Sequence, residues 1–306
     1  HVRRAHGDLH LRNLVMIEGQ PTLFDALEFD ETLGTCEVFY DVAFLIMDLC
    51  HRGLRRQACC VLEAWLREAK GQEDSGLAAL PLFVSVRAAI RAMVLLQTDA
   101  ACETPDASAQ EIGAYMDLAC ASLQRQTPML VAVGGYSASG KSVLARQIAP
   151  DIGPLPGAVM LASDLERKAG YRKDKVLGSE AYTAEQRAAV YHGMFARAAA
   201  ILKAGHAVLL DATFLSADMR LQAARVAAEA DVAFHGFWLE APQKVLEDRL
   251  RARRKGASDA DIAVLRRQPA VPVGMLNWHR IDASGTADSV YRAARKACVV
   301  AQSNAQ

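Results

Sequence analysis

Residues Gly135-Tyr136-Ser137-Ala138-Ser139-Gly140-Lys141-Ser142 fill every fixed position of G-x-x-x-x-G-K-[ST]. A short apolar run, Leu130-Val131-Ala132-Val133, precedes them, and Val143-Leu144-Ala145-Arg146-Gln147-Ile148 follows with helical spacing. Strand, glycine loop and helix in that order leave few folds open. Glycines let the backbone wrap round a polyphosphate, so that several N–H groups and a helix N-terminus face the anion. Lys141 then supplies a point charge for the terminal phosphates, and the Ser142 hydroxyl a ligand for Mg²⁺. Gly135, Ser137, Ala138, Ser139, Gly140, Lys141, Ser142 and Val143 are thus candidate contacts for ATP.

The pattern around this loop alternates between strands and helices. Strand candidates are 129–134, 158–163, 206–211, 233–240 and 273–281, with helices at 142–149, 184–204, 217–230 and 242–255 between them. Such a succession predicts an α/β fold with a doubly wound parallel sheet. Before residue 127 the grammar differs. Segments 54–70, 80–96 and 109–123 carry apolar residues at three- and four-residue spacing, and predict a mostly helical region. Ahead of them, Leu14–Ile17 and Thr22–Asp25 flank the turn Glu18-Gly19-Gln20-Pro21, and Asp41 is placed to cap a helix over 42–49. The chain therefore divides into 1–126 and 127–306.

Lys plus Arg and Asp plus Glu both total 35 among 306 residues. That balance gives no basic excess for nucleic acid or an anionic membrane. The apolar runs stay shorter than the ~20 residues a membrane span needs. Seven cysteines lie scattered with no C-x-x-C pair and no zinc spacing. Reduced thiols in the cytoplasm are the expectation.

In doubly wound sheets the ligand lies beyond the carboxyl ends of the strands. After the second strand of the second region comes Ser163-Asp164-Leu165-Glu166-Arg167-Lys168. Asp164 either orients or deprotonates an acceptor hydroxyl or caps the next helix, and Arg167 is suited to hold substrate or developing charge. Val208-Leu209-Leu210-Asp211 has the Walker B form, a strand-end carboxylate for Mg²⁺ or its waters. Arg249 and Arg253, four apart, share a helix face and suit a lid that clamps phosphates.

These pieces, GYSASGKS, SDLERK, LLDATF and RLRARRKGASDADIAVLRRQ, resemble the small P-loop kinases: gluconate kinase, chloramphenicol phosphotransferase, zeta toxin and the kinase domain of polynucleotide kinase. The resemblance spans about 128–300. It implies ATP and Mg²⁺ as cofactors, Asp164 with Arg167 as base and partner, and Lys141 and Arg253 as catalytic groups. It also implies Ser142 and Asp211 at the metal. Near the end, Asp282-Ala283-Ser284-Gly285 resembles the last strand and turn, where the adenine often rests in that family.

His6-Gly7-Asp8-Leu9-His10-Leu11-Arg12-Asn13 follows the spacing H-x-D-L-x-x-x-N. It resembles the catalytic loop of aminoglycoside phosphotransferases. That resemblance implies Asp8 as base, Asn13 as a metal ligand and Asp25 as the second metal carboxylate, with the register open between Asp25 and Glu28. It also implies that Asp41-Val42-Ala43 supports the loop. No glycine-rich loop or strand lysine precedes His6, so this half is expected to be inactive as it stands. The chain opens on His1 and reads as a fragment of a longer protein. Its two halves resemble bacterial fusions of a phosphotransferase-like domain with a P-loop ATP-binding domain.

The leading expectation is an ATP-dependent kinase acting on a hydroxyl of a small molecule. Two alternatives stand beside it, an ATP-binding regulatory module that transfers nothing and a 5′-hydroxyl polynucleotide kinase. Neutral charge and the lack of an aromatic and basic strip disfavour the last.

Overall fold

The computed structural model describes residues 2–27, 34–104, 106–168, 183–252, 262–268, 273–274 and 276–303. The chain separates into two compact units. One comprises His1–Ala64, Ser75–Gln126 and Pro154–Pro156, the other Trp65–Asp74, Thr127–Gly153 and Gly157–Gln306. The short exchanges at 65–74 and 154–156 depart from a single cut at 126/127.

In the first unit, β1 (Val2–Arg4) pairs antiparallel with β4 (Thr35–Glu37), a pairing the sequence pattern did not suggest. β2 (Leu14–Ile17) and β3 (Gln20–Leu23) form the expected hairpin with a tighter turn. Only Glu18 and Gly19 lie outside the strands, with φ of 50° and 76°. Positive φ at both central residues matches the twist of the strands they join.

A helix runs from Val38 to His51, starting earlier than the 42–49 expected. Its N-cap is Glu37, whose side chain accepts from the Tyr40 N–H, so Asp41 is not the cap. Helix Leu80–Ala101 also outruns its predicted end at 96 and packs against Val38–His51 and Ala109–Leu123. Leu80, Val84, Ala88 and Ala92, four apart, form its buried stripe. Among the described residues, Asp74–Ala101 is the one segment long and apolar enough to cross a membrane by length and composition.

The second unit is a five-stranded parallel sheet in the order β6-β7-β5-β8-β9. Its strands are β5 (Met129–Gly135), β6 (Val159–Ala162), β7 (Val208–Asp211), β8 (Ala233–Glu240) and β9 (His279–Asp282). Helices on both faces explain why β5, β6 and β7 read as nearly continuous apolar runs. Val131, Val133, Leu209, Phe237 and Leu239 meet Leu144 and Ile148 of helix Lys141–Ile148 in the core. β9 is shorter than the expected 273–281, because it pairs only with the last four residues of β8, Phe237–Glu240.

Two glycines seat Trp278 on the sheet. A Cβ at Gly134 would lie 2.9 Å from the Trp278 ring, and one at Gly236 would overlap it. Phe214 packs edge-on against the same indole at 5.0 Å.

Candidate active site

The strand order reverses at β5, between β7 and β8, and the glycine loop leaves β5 there. Gly135 has φ 137°, and a side chain on it would come within 2.6 Å of the Leu239 carbonyl oxygen. Gly140, at φ 97°, caps helix Lys141–Ile148. Ala138 sits between them at φ 62°. A left-handed alanine costs roughly 1–2 kcal/mol, strain of the kind that clusters in ligand-binding loops. Alternating left- and right-handed residues turn successive N–H groups to one side and make an anion-binding concavity.

The hydrogen bonding sorts the loop's donors. The N–H groups of Ser137, Ser139 and Val143 go to Gln268, Tyr136 and Gly140 respectively. Those of Ala138 and Gly140 have no acceptor among the described residues. The Ser139 hydroxyl is buried and likewise has no partner among the described residues. A buried hydroxyl without a partner is costly, and with the two N–H groups of the half-buried Ala138 and Gly140 it fits a bound phosphate chain.

Lys141 Nζ donates to the Tyr136 carbonyl at 2.8 Å, folding the side chain back over its own loop. The buried Asp211 ends β7 and accepts a hydrogen bond from the Ser142 hydroxyl. Burial raises its pKa, and the Lys141 charge and the Ser142 bond oppose that rise. Asp211, distant in sequence, thus joins Lys141 and Ser142 in one cluster that suits a cation bridging to phosphate oxygens. Among the described residues no three His, Cys, Asp or Glu side chains are placed to hold a metal by themselves. Mg²⁺ would therefore need phosphate and water ligands beside Ser142 and Asp211.

Asp164 lies in the first turn of helix Ser163–Lys168, directly after β6, where Arg167 Nη1 donates to its Oδ1 at 2.9 Å. The Asp164 charge adds to the rise in the Asp211 pKa. Arg197 braces this helix. It donates to Glu166 at 2.7 Å and to both oxygens of Asp74 at 2.9 and 3.0 Å. Tyr191 is buried, and its hydroxyl accepts from the Phe214 N–H at 3.0 Å. The turn after β7 is fixed further by Arg220, which donates to the Phe214, Leu215 and Val273 carbonyls. The Thr213 carbonyl in turn accepts from the Gly135 N–H at 3.1 Å.

Arg249, on helix Gln243–Ala252, donates to the Gly285 carbonyl at 3.1 Å, beside the turn that Asp282 and Ser284 close. Arg253 and Glu28 lie outside the described residues.

In the first unit, Asp8 accepts from Asn13 Nδ2 at 3.0 Å, and His10 Nε2 lies 3.3 Å from the same carboxylate. His10 Nδ1 accepts from the Arg12 N–H, so Nε2 carries the proton that Asp8 receives. The bond from His10 holds Asp8 below the usual carboxylate range. Asp41 underpins the loop, its two oxygens accepting from the His6 and Gly7 N–H groups at 2.9 and 3.0 Å. Asp48 accepts from the Leu11 N–H at 2.9 Å. Arg87 comes from the long helix, donates to the Gly7 carbonyl at 3.1 Å and lies 3.9 Å over the Tyr40 ring. Asp25 is exposed at φ 60°. Its neighbour Phe24 joins it to the loop, with the N–H donated to the Asn13 carbonyl and the carbonyl bonded to His6.

Gln268, Tyr191, Arg197, Arg220 and Arg87 were not found from the sequence. An arginine inside an apolar helix was a usable signal for Arg87; the others carry none that is local.

Residues 130–271 match a family model described as an AAA domain. Over 287 residues, 92% of this chain, the sequence is 32% identical to uncharacterized protein Rv2004c of Mycobacterium tuberculosis and equally to uncharacterized protein Mb2027c of Mycobacterium bovis. The chain spans 56% of the length of these relatives. Among solved structures, a sugar kinase from Janibacter sp. is 19% identical over 55% of this chain and 92% of its own, with a TM-score of 0.41. A gluconokinase from Sinorhizobium meliloti gives 19% over 55% and 90%, with 0.40. The Mycobacterium tuberculosis APS kinase CysC, solved with AMPPNP and APS, gives 22% over 56% and 96%, with 0.39.

Proposed function

We propose that the second unit binds ATP with Mg²⁺ and transfers its terminal phosphoryl group to a hydroxyl of a small molecule. The observation that carries this reading is the meeting of Lys141, Ser142 and Asp211 at the glycine loop, with the Asp164–Arg167 ion pair in the turn directly after β6. Phosphoryl transfer asks a protein mainly for positioning and for compensation of negative charge. The loop N–H groups and Lys141 would orient the β- and γ-phosphates. Ser142 and Asp211 would hold Mg²⁺, which when bound supplies charge neutralisation. Asp164 would accept the acceptor's hydroxyl proton as that oxygen bonds to phosphorus and the bond to the ADP oxygen breaks. Arg167 would steady the carboxylate and then the transferred charge. Arg249, and Arg253 from the lid expected there, would close over the phosphates.

The six described cysteines carry free thiols, which supports the cytoplasmic setting expected from the sequence. For the first unit, we read residues 1–126 as part of an aminoglycoside phosphotransferase-like lobe. The Asp8, Asn13 and Asp41 network supports that reading.

The test is ATP consumption against a panel of sugars, sugar acids and aminoglycosides. An active acceptor should raise turnover, and Asp164→Ala should lower that turnover about 10²–10⁴-fold while leaving ATP affinity nearly unchanged. Lys141→Ala should abolish nucleotide binding. If no acceptor raises turnover and Asp164→Ala leaves basal hydrolysis as it was, the kinase reading fails; ATP binding that persists would then favour a regulatory module.

A further inference from the structure

We infer that Gln268 is a positioning residue for the phosphate loop, its amide locking the Ser137 peptide so that the following N–H groups face a phosphate. The inference rests on the nucleotide-binding reading above. Gln268 Oε1 accepts from the Ser137 N–H at 2.8 Å, and Gln268 Nε2 donates to Ser137 Oγ at 2.9 Å. Both residues are buried, with 9% and 7% of their surface exposed.

A primary amide offers one acceptor and one donor about 2.3 Å apart in a rigid plane. Ser137 meets both ends at once, through its backbone and its side chain. This grip fixes the peptide plane entering Ser137 and the side chain of the same residue, directly ahead of Ala138, which is held at φ 62°. Were that plane to rotate, the N–H groups of Ala138 and Gly140 would leave the concavity. The Ser137 N–H is itself taken, so a phosphate is cradled by the donors that follow it.

Gln268 also ties the loop to a basic helix. It directly follows helix Ile262–Arg267, whose Arg266 donates to both oxygens of Glu247 at 3.0 and 3.3 Å. Glu247 sits on helix Gln243–Ala252, which bears Arg249. A single amide thereby connects the loop to the element whose arginine is proposed to meet phosphate.

The experiment compares the full chain with Gln268→Met, which keeps the volume and removes both bonds. MgAMPPNP and adenosine are titrated by calorimetry, well below every melting midpoint. Loss of the grip should weaken MgAMPPNP about tenfold, in line with one or two lost hydrogen bonds, and leave adenosine unchanged. Gln268→Glu adds a second readout. Its protonated carboxyl reproduces the donor and acceptor of the amide, whereas the carboxylate cannot donate and adds a negative charge. Its deficit relative to wild type should therefore shrink as pH falls from 8 to 5, and this variant carries the test if Gln268→Met fails to fold. Wild-type affinity for MgAMPPNP in these variants, or equal weakening of adenosine, overturns the inference. A wild-type chain that binds no MgAMPPNP overturns the nucleotide reading itself.

Discussion

His206 shows how much one buried side chain can weigh. It lies just ahead of β7, and its Nε2–H donates to the Gly157 carbonyl at 2.9 Å. Burial pushes its pKa down to about 4 from the ordinary 6.5. Between those values the unfolded chain binds the extra proton and the folded chain does not, so stability falls as pH drops from about 6.5 to about 4. The loss should total about 3 kcal/mol. Urea unfolding at pH 7.5 and 4.5 measures it, and His206→Gln, which can retain the N–H donor, should flatten the difference. The same scale explains what could be read beforehand. Lys141, Ser142, Asp164 and Asp211 announce themselves because each sits in a local strand-end or loop pattern. Gln268 meets Ser137 across 131 residues, and Arg87 meets Gly7 across 80. No periodicity encodes such pairings; only the folded chain creates them.

At the level of elements, strands and helices of the second unit were legible because burial on both sheet faces writes long apolar runs into the sequence. Boundaries were less so. Asp41 looked like a cap, yet its carboxylate is used by the His6 and Gly7 N–H groups, and Glu37 performs the capping four residues before it. Aspartate suits both tasks, and sequence alone does not say which N–H groups will come near. The short β1–β4 pair was missed for a related reason: three residues in each strand are too few to display a period. The Trp278 seat yields a sharper test. A methyl group at Gly236 must displace the indole or bend β8, so Gly236→Ala should destabilise the second unit by about 2 kcal/mol, read as a lower urea midpoint. Gly193, with nothing near its absent side chain, is the control position.

For the whole molecule, each unit has a core of its own: Phe39, Ile46, Met47 and Leu80 in one, Leu130, Val133, Leu144 and Phe237 in the other. Damage to one loop should therefore spare the other. Asp41→Ala leaves the His6 and Gly7 N–H groups without their acceptor and should cost the first unit about 3 kcal/mol. Nucleotide affinity at the glycine loop should not change in that variant, as calorimetry can verify. The sequence shows a change of grammar near residue 127. The exchange of 65–74 and 154–156 is not legible there, because which core a short connector joins depends on packing. The seating of aromatic rings has one last consequence. Trp278 rests against Gly134 at the foot of the loop, and Trp238 meets the edge of Tyr136, the loop's second residue, at 5.9 Å. Both indoles are buried and so should emit at short wavelength, which makes the site its own optical reporter, with no dye attached.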